Sequence, residues 1–149
     1  MTGGSIYENS SGVGGGIYTV GGTVHLTNVY LFSNFAQTGN GGGILENKGF
    51  VTLDAGTVQS NRANNGNGGG IYLSTGSLTF IGNAFIGGGN TAKTGGRMYL
   101  AGGTTTFTSC TVEGNTATVK APGVVDTINA ILQANGLTDN DDLNGPVLV

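Results

Sequence analysis

The sequence predicts an all-β fold, a parallel β-helix (β-solenoid) of about four 27-residue coils closed by a short C-terminal helical cap. Three observations carry this. A glycine triplet recurs at a fixed spacing of 27 residues: Gly14-Gly15-Gly16, Gly41-Gly42-Gly43, Gly68-Gly69-Gly70 and the decayed Gly95-Gly96-Arg97. Apolar residues alternate with Thr, Ser or Asp, as in Val24/Leu26, Val51/Leu53 and Leu78/Phe80, which is the period of a half-buried strand. No repeat carries a helical period over ten residues, and β-branched Thr and Val crowd the segments between glycines.

The repeats occupy residues 1–121, as a partial coil 1–13 and full coils 14–40, 41–67, 68–94 and 95–121. The partial coil preserves Ile6-Tyr7-Glu8-Asn9-Ser10-Ser11 immediately before the first triplet. Glycine is needed where the chain bends with positive φ, at the triplets and again at Gly22, Gly49, Gly76 and Gly103. Behind each triplet stands an apolar column, Ile17, Ile44, Ile71, Met98, followed by Tyr18, Leu45, Tyr72, Tyr99. Three more columns follow: Val24, Val51, Leu78, Thr105; then Leu26, Leu53, Phe80, Phe107; then Leu31, Val58, Phe85, Val112. A 27-residue unit cannot enclose a core alone, so these columns must stack on their own copies at about 4.8 Å.

Asn34, Asn61 and Asn115 each precede an Ala by two places, and the third unit keeps the theme with a slip, Asn90 and Ala92 after Gly87-Gly88-Gly89. Stacked Asn side chains can pass hydrogen bonds between coils, so an internal ladder is expected. A leucine-rich repeat also matches Leu26-x-x-Val29-x-Leu31-x-x-Asn34. The rest of each unit, however, offers Gly, Thr and Val where such repeats place helix formers. In the tail, 122–149, Val124, Val125, Ile128, Ile131 and Leu132 have helical spacing before Gly136 and predict an amphipathic cap over the last coil. Asp139, Asp141 and Asp142 form an acidic loop without the full ligand spacing of a calcium-binding hand, and Pro146 to Val149 is an apolar strand-like end.

Gly-Gly-Ile paired with apolar-x-x-Asn, in Gly42-Gly43-Ile44, Gly69-Gly70-Ile71, Leu31 to Asn34, Val58 to Asn61 and Val112 to Asn115, resembles the repeats of the chlamydial polymorphic outer membrane protein family and related bacterial surface proteins. The resemblance spans roughly residues 5–121. It implies a right-handed parallel β-helix on a bacterial surface with an adhesive role.

Composition narrows the function. Charged residues are 9% of the 149, with five Lys and Arg scattered along the chain, so neither a nucleic-acid surface nor an electrostatic membrane patch is expected. No run of about 18 apolar residues provides membrane insertion. Polysaccharide-cleaving β-helices use clustered carboxylates, whereas His25 and Asp54 stand together without a second acid or nucleophile. Glu46 and Lys48 read as an exposed pair. Cys110, in a column with Val29, Gly56 and Asn83, reads as a small buried residue. No catalytic residue, metal or cofactor is expected. One face is richer in signal: Thr23, His25 and Thr27, Thr52, Thr79, and Thr104, Thr106 and Thr108 point outward together, and such Thr-x-Thr arrays resemble ice-binding faces. The expected function is a non-enzymatic extracellular or cell-surface structural or adhesive β-helix. Self-association through its ends, involving Ile6 at one side and Val147, Leu148 and Val149 at the other, would extend it into a fibre. A host-surface or glycan ligand is the other expected partner. The alternatives are an ice-binding solenoid and a polysaccharide-binding or polysaccharide-degrading β-helix.

Overall fold

A computed structural model describes residues 1–108, 110–113, 116–117 and 143–144. The fold is a parallel β-solenoid. Each full coil contributes one strand to each of four parallel sheets, and each strand pairs with its equivalent one coil away. Face one stacks Ile17–Val20, Ile44–Asn47, Ile71–Leu73, Met98–Leu100 and Leu143–Asn144. Face two stacks Thr23–Thr27, Gly49–Asp54, Gly76–Ile81 and Thr104–Phe107. Face three begins with Ser5–Tyr7 and runs through Tyr30–Phe32, Thr57–Gln59, Ala84–Gly87 and Cys110–Glu113. Face four begins with Ser10–Ser11 and runs through Phe35–Ala36, Arg62–Asn67, Thr91–Thr94 and Thr116–Ala117.

The core lies inside these faces as straight columns. Ile17, Ile44, Ile71 and Met98 are direct Cα partners, and so are Leu26, Leu53, Phe80 and Phe107. The Phe80 and Phe107 rings stack at 5.1 Å within the core. Ile44 and Ile71 are fully buried, and enclosure of an aliphatic side chain of this size contributes about 1.5–3 kcal/mol.

The three glycines of a triplet serve three different ends. Gly14, Gly41, Gly68 and Gly95 take positive φ, between 57° and 70°, and turn the chain into face one. The second glycine meets a backbone on either side: a Cβ on Gly42 would lie 2.3 Å from the carbonyl oxygen of Gly69 and 2.5 Å from the nitrogen of Arg62. The third accommodates the Asn ladder, since a Cβ on Gly43 would lie 3.1 Å from the side chain of Asn61. The positive-φ expectation therefore holds for the first glycine and fails for the other two, whose requirement is space. It fails also at Gly49, where the neighbouring Lys48 takes the left-handed conformation at φ 67°.

Three expectations are corrected by packing. The column expected to contain Phe85 contains Ile86 instead, paired with Val58 and Val112, while Phe85 turns outward beside Thr57. Cys110 accordingly pairs with Ala84, not Asn83, although it is buried as expected. Asn83 stands in an added turn at φ 65°. Glu46 is not an exposed partner of Lys48. It pairs with Thr19 and Leu73 on the inward side of face one and is fully buried. The helix expected over Val124 to Leu132, the acidic loop 139–142 and the end Val147, Leu148 and Val149 lie outside the described residues. Leu143–Asn144, not expected as a strand, adds a rung to face one beside Met98 and Tyr99.

Candidate functional site

Two surface features are candidates, and both arise from the same alternation of inward and outward side chains. The first is the threonine face. Face two brings His25, Thr52, Thr79 and Thr106 into one outward column in direct register. Thr23 begins the adjacent column, which continues as Phe50, Ser77 and Thr104, and Thr27 pairs with Asp54, which pairs with Ile81. Thr23, His25, Thr104, Thr106 and Thr108 are exposed, and Thr27, Thr52 and Thr79 are half-buried. The expected residues are thus brought together. Phe50, Asp54, Ile81 and His25 interrupt the hydroxyl array. His25 and Asp54 lie diagonally, one coil apart and two residues offset.

The second feature is a groove that sequence reasoning missed. It follows the corner between faces three and four. Along that corner the chain places one residue outward in the left-handed conformation, Glu8 at φ 54°, Ser33 at φ 55° and Ser60 at φ 52°, and then one Asn inward. The inward Asn residues form the ladder. Asn9 donates to Oδ1 of Asn34 at 2.9 Å, Asn34 to Oδ1 of Asn61 at 3.0 Å, and Asn61 to Oδ1 of Asn90 at 3.1 Å. Each amide also reaches a backbone carbonyl: Asn34 that of Ile6, Asn61 that of Leu31 and Asn90 that of Val58.

Outside this ladder lies a groove of about 300 Å³ lined by Ser33, Phe35, Ser60, Arg62, Gly89 and Thr91, with Asn34 beneath. The Arg62 guanidinium lies over the Phe35 ring, 4.3 Å from its centroid. The Ser60 hydroxyl donates to the carbonyl of Gly88 at 2.9 Å.

No family model, curated protein or solved structure matches the chain. Among the described residues no group of three or more His, Cys, Asp or Glu comes together to hold a metal ion, and no helix is long and apolar enough to cross a membrane. Burial raises the Cys110 thiol to about 11, which opposes thiolate formation. The outward aromatic pairs are committed to each other: Tyr72 stacks on Tyr99 at 5.4 Å with planes 3° apart, and Tyr7 on Phe32 at 5.0 Å. Ile6, the one described member of the expected assembly set, is half-buried in the inward column above Leu31.

Proposed function

We propose that this chain is a non-enzymatic structural and adhesive module of an extracellular or cell-surface protein, extended by end-to-end stacking of coils. The observation that supports this reading is the stacking of equivalent strands, coil on coil, in four parallel sheets. Ser5–Tyr7, Ser10–Ser11 and Ile17–Val20 stand at the outer edge of their sheets, each with a strand partner on one side. Ile6, Ile17 and Val24 are packed against the core yet only partly buried. An edge of this kind offers backbone N–H and C=O groups and half-covered apolar side chains in the register of another coil. A head-to-tail contact of this type, where it does not close into a ring, grows into a filament. The resemblance of the Gly-Gly-Ile and apolar-x-x-Asn repeats to bacterial surface β-helices supports the same reading.

Light scattering and electron microscopy of the purified chain test it. Mass that rises with concentration, with particles elongated along one axis, is the expected result, and Ile6→Lys should shift the population toward monomer. A wild-type chain that stays monomeric at millimolar concentration would remove end-to-end stacking from the proposal.

A second reading is supported by the direct register of Thr52, Thr79 and Thr106, which sets three hydroxyls in line on one face. An ice-binding face needs such a regular array. Thermal hysteresis that is reduced by Thr79→Tyr would favour it. Ordinary freezing behaviour of the wild-type chain would exclude it.

A further inference from the structure

We propose that the groove beside Arg62 binds the carboxylate of an acidic sugar. This inference rests on the adhesive reading and names the ligand class that would serve it.

The first ground is where the repeat breaks. Asn34 and Asn61 are 27 residues apart, but Asn61 and its ladder partner Asn90 are 29 apart. The registers locate the added residues. Leu31 pairs with Val58 at an offset of 27, Val58 with Ile86 at 28, and Arg62 with Thr91 at 29. One residue therefore enters at the Gly82-Asn83 turn and one at Gly88-Gly89. The offset returns to 27 only at Asn67 and Thr94, through an irregularity inside Arg62–Asn67. The second insertion forms the wall of the groove, and the compensating irregularity lies in the strand that carries Arg62. It also sets Gly89 at the corner position that Ser60 holds one coil earlier, so no side chain closes that end. Bulges of this kind re-aim side chains and are concentrated beside binding sites.

The second ground is the chemistry of the lining. A guanidinium carries five N–H donors in a rigid fork suited to a carboxylate. Contact with the Phe35 ring fixes the cation in place without using those donors as hydrogen bonds. Ser33 and Thr91 line the same groove, and Ser60, already donating to Gly88, keeps lone pairs for a sugar hydroxyl. The volume of about 300 Å³ sits at the small end of ligand sites and the groove is open, which suits one sugar residue of a longer chain. The protein carries a net charge of −3, so general electrostatic attraction does not favour an acidic polymer. Recognition must be local, one carboxylate at one guanidinium.

The experiment compares an oligogalacturonate with its fully methyl-esterified counterpart by calorimetric or NMR titration of the purified chain. The acid is expected to bind at least tenfold more tightly than the ester. Arg62→Ala should lose at least tenfold for the acid and leave the ester unchanged, and Arg62→Lys, which keeps charge but loses the fork, should recover only part. Arg62 is exposed, so the unfolding midpoint of these variants should match wild type and separates lost binding from lost fold. Equal binding of acid and ester, unchanged binding by Arg62→Ala, or complete competition by equimolar inorganic sulfate would overturn the site. Adhesion of wild-type chain to cells or carbohydrate-coated surfaces is measured in parallel. Adhesion without acid-selective binding overturns the site alone, whereas failure to adhere to any surface overturns the adhesive reading with it.

Discussion

Asn34 donates both its backbone N–H and its side-chain amide to one oxygen, Oδ1 of Asn61, each at 3.0 Å. Asn61 repeats the arrangement with Asn90 and returns its own amide to the carbonyl of Leu31. The ladder thus satisfies buried backbone groups at a corner where the sheets cannot.

Replacing Asn61 tests the ladder. Asn61→Ala removes the acceptor shared by the Asn34 backbone N–H and its side-chain amide, and one donor to the Leu31 carbonyl. Each orphaned group costs about 1–3 kcal/mol, so a loss of about 3 kcal/mol or more is expected in urea unfolding. Asn61→Asp retains the acceptor but turns a second oxygen toward the Leu31 carbonyl. It should be worse at neutral pH than near pH 4, where protonation restores a donor. A ladder that merely decorates the surface would lose less than about 0.5 kcal/mol.

Glu46 predicts an unusual pH dependence. One carboxylate oxygen accepts the N–H of Gly49, and the other is buried without a partner. Burial pushes its pKa above the ordinary carboxylate value, and the Gly49 hydrogen bond offsets this only in part. The folded state therefore holds this proton more tightly than the unfolded chain. The corresponding stability is full at pH below the unfolded pKa and is lost as pH rises through the raised folded value. Glu46→Gln should be more stable than wild type at neutral pH and little different near pH 4, read as chemical-denaturation midpoints across pH. Parallel curves for the two proteins would contradict this.

The inward and outward assignment is tested by a pair. Ile44→Asp places a carboxylate between Ile17 and Ile71 and should cost several kcal/mol, with loss of neighbouring coils. Thr52→Ala, on the outer side of face two, should change stability by less than about 0.5 kcal/mol. Circular dichroism melts of both variants decide it.

Two glycines should respond differently to alanine. At Gly42 the added methyl meets backbone on both sides, so Gly42→Ala should be among the most damaging single changes in the chain. At Gly22 nothing lies within 4 Å and only the φ of 77° is unfavourable, so Gly22→Ala should cost about 1–2 kcal/mol. Comparable thermal shifts for the two would refute the close-approach argument.

Cys110 should be inert while folded. With its thiol raised to about 11 by burial, it should react with a disulfide reagent at pH 8 far more slowly than the same chain in urea. Equal rates would show that the side chain is accessible.

The sheets and most core columns were legible because a strict 27-residue spacing maps directly onto stacked partners. Legibility ended where the spacing changed. Phe85 and Ile86 are both apolar neighbours, and only the added turn at Gly82-Asn83 decides which one faces inward. The Gly87-Gly88-Gly89 slip was visible as a signal, but not the groove it opens, because Arg62 and Gly89 meet only across two coils. Glu46 was misread because a charged residue beside Lys48 resembles a surface pair. Its place in the alternation, two after the inward Ile44, was the better guide.

Each strand pairs with a partner one whole coil away rather than with its neighbour in sequence, and this governs the response to tension. Tethered at two points and pulled, the chain should yield in discrete steps as one coil after another peels from the stack. Each step should release about 90 Å of polypeptide, the contour of 27 residues. The coil that joins Asn61 to Asn90 should give a step no longer than its neighbours, because its two added residues are offset before Thr94 and the triplets keep their spacing of 27.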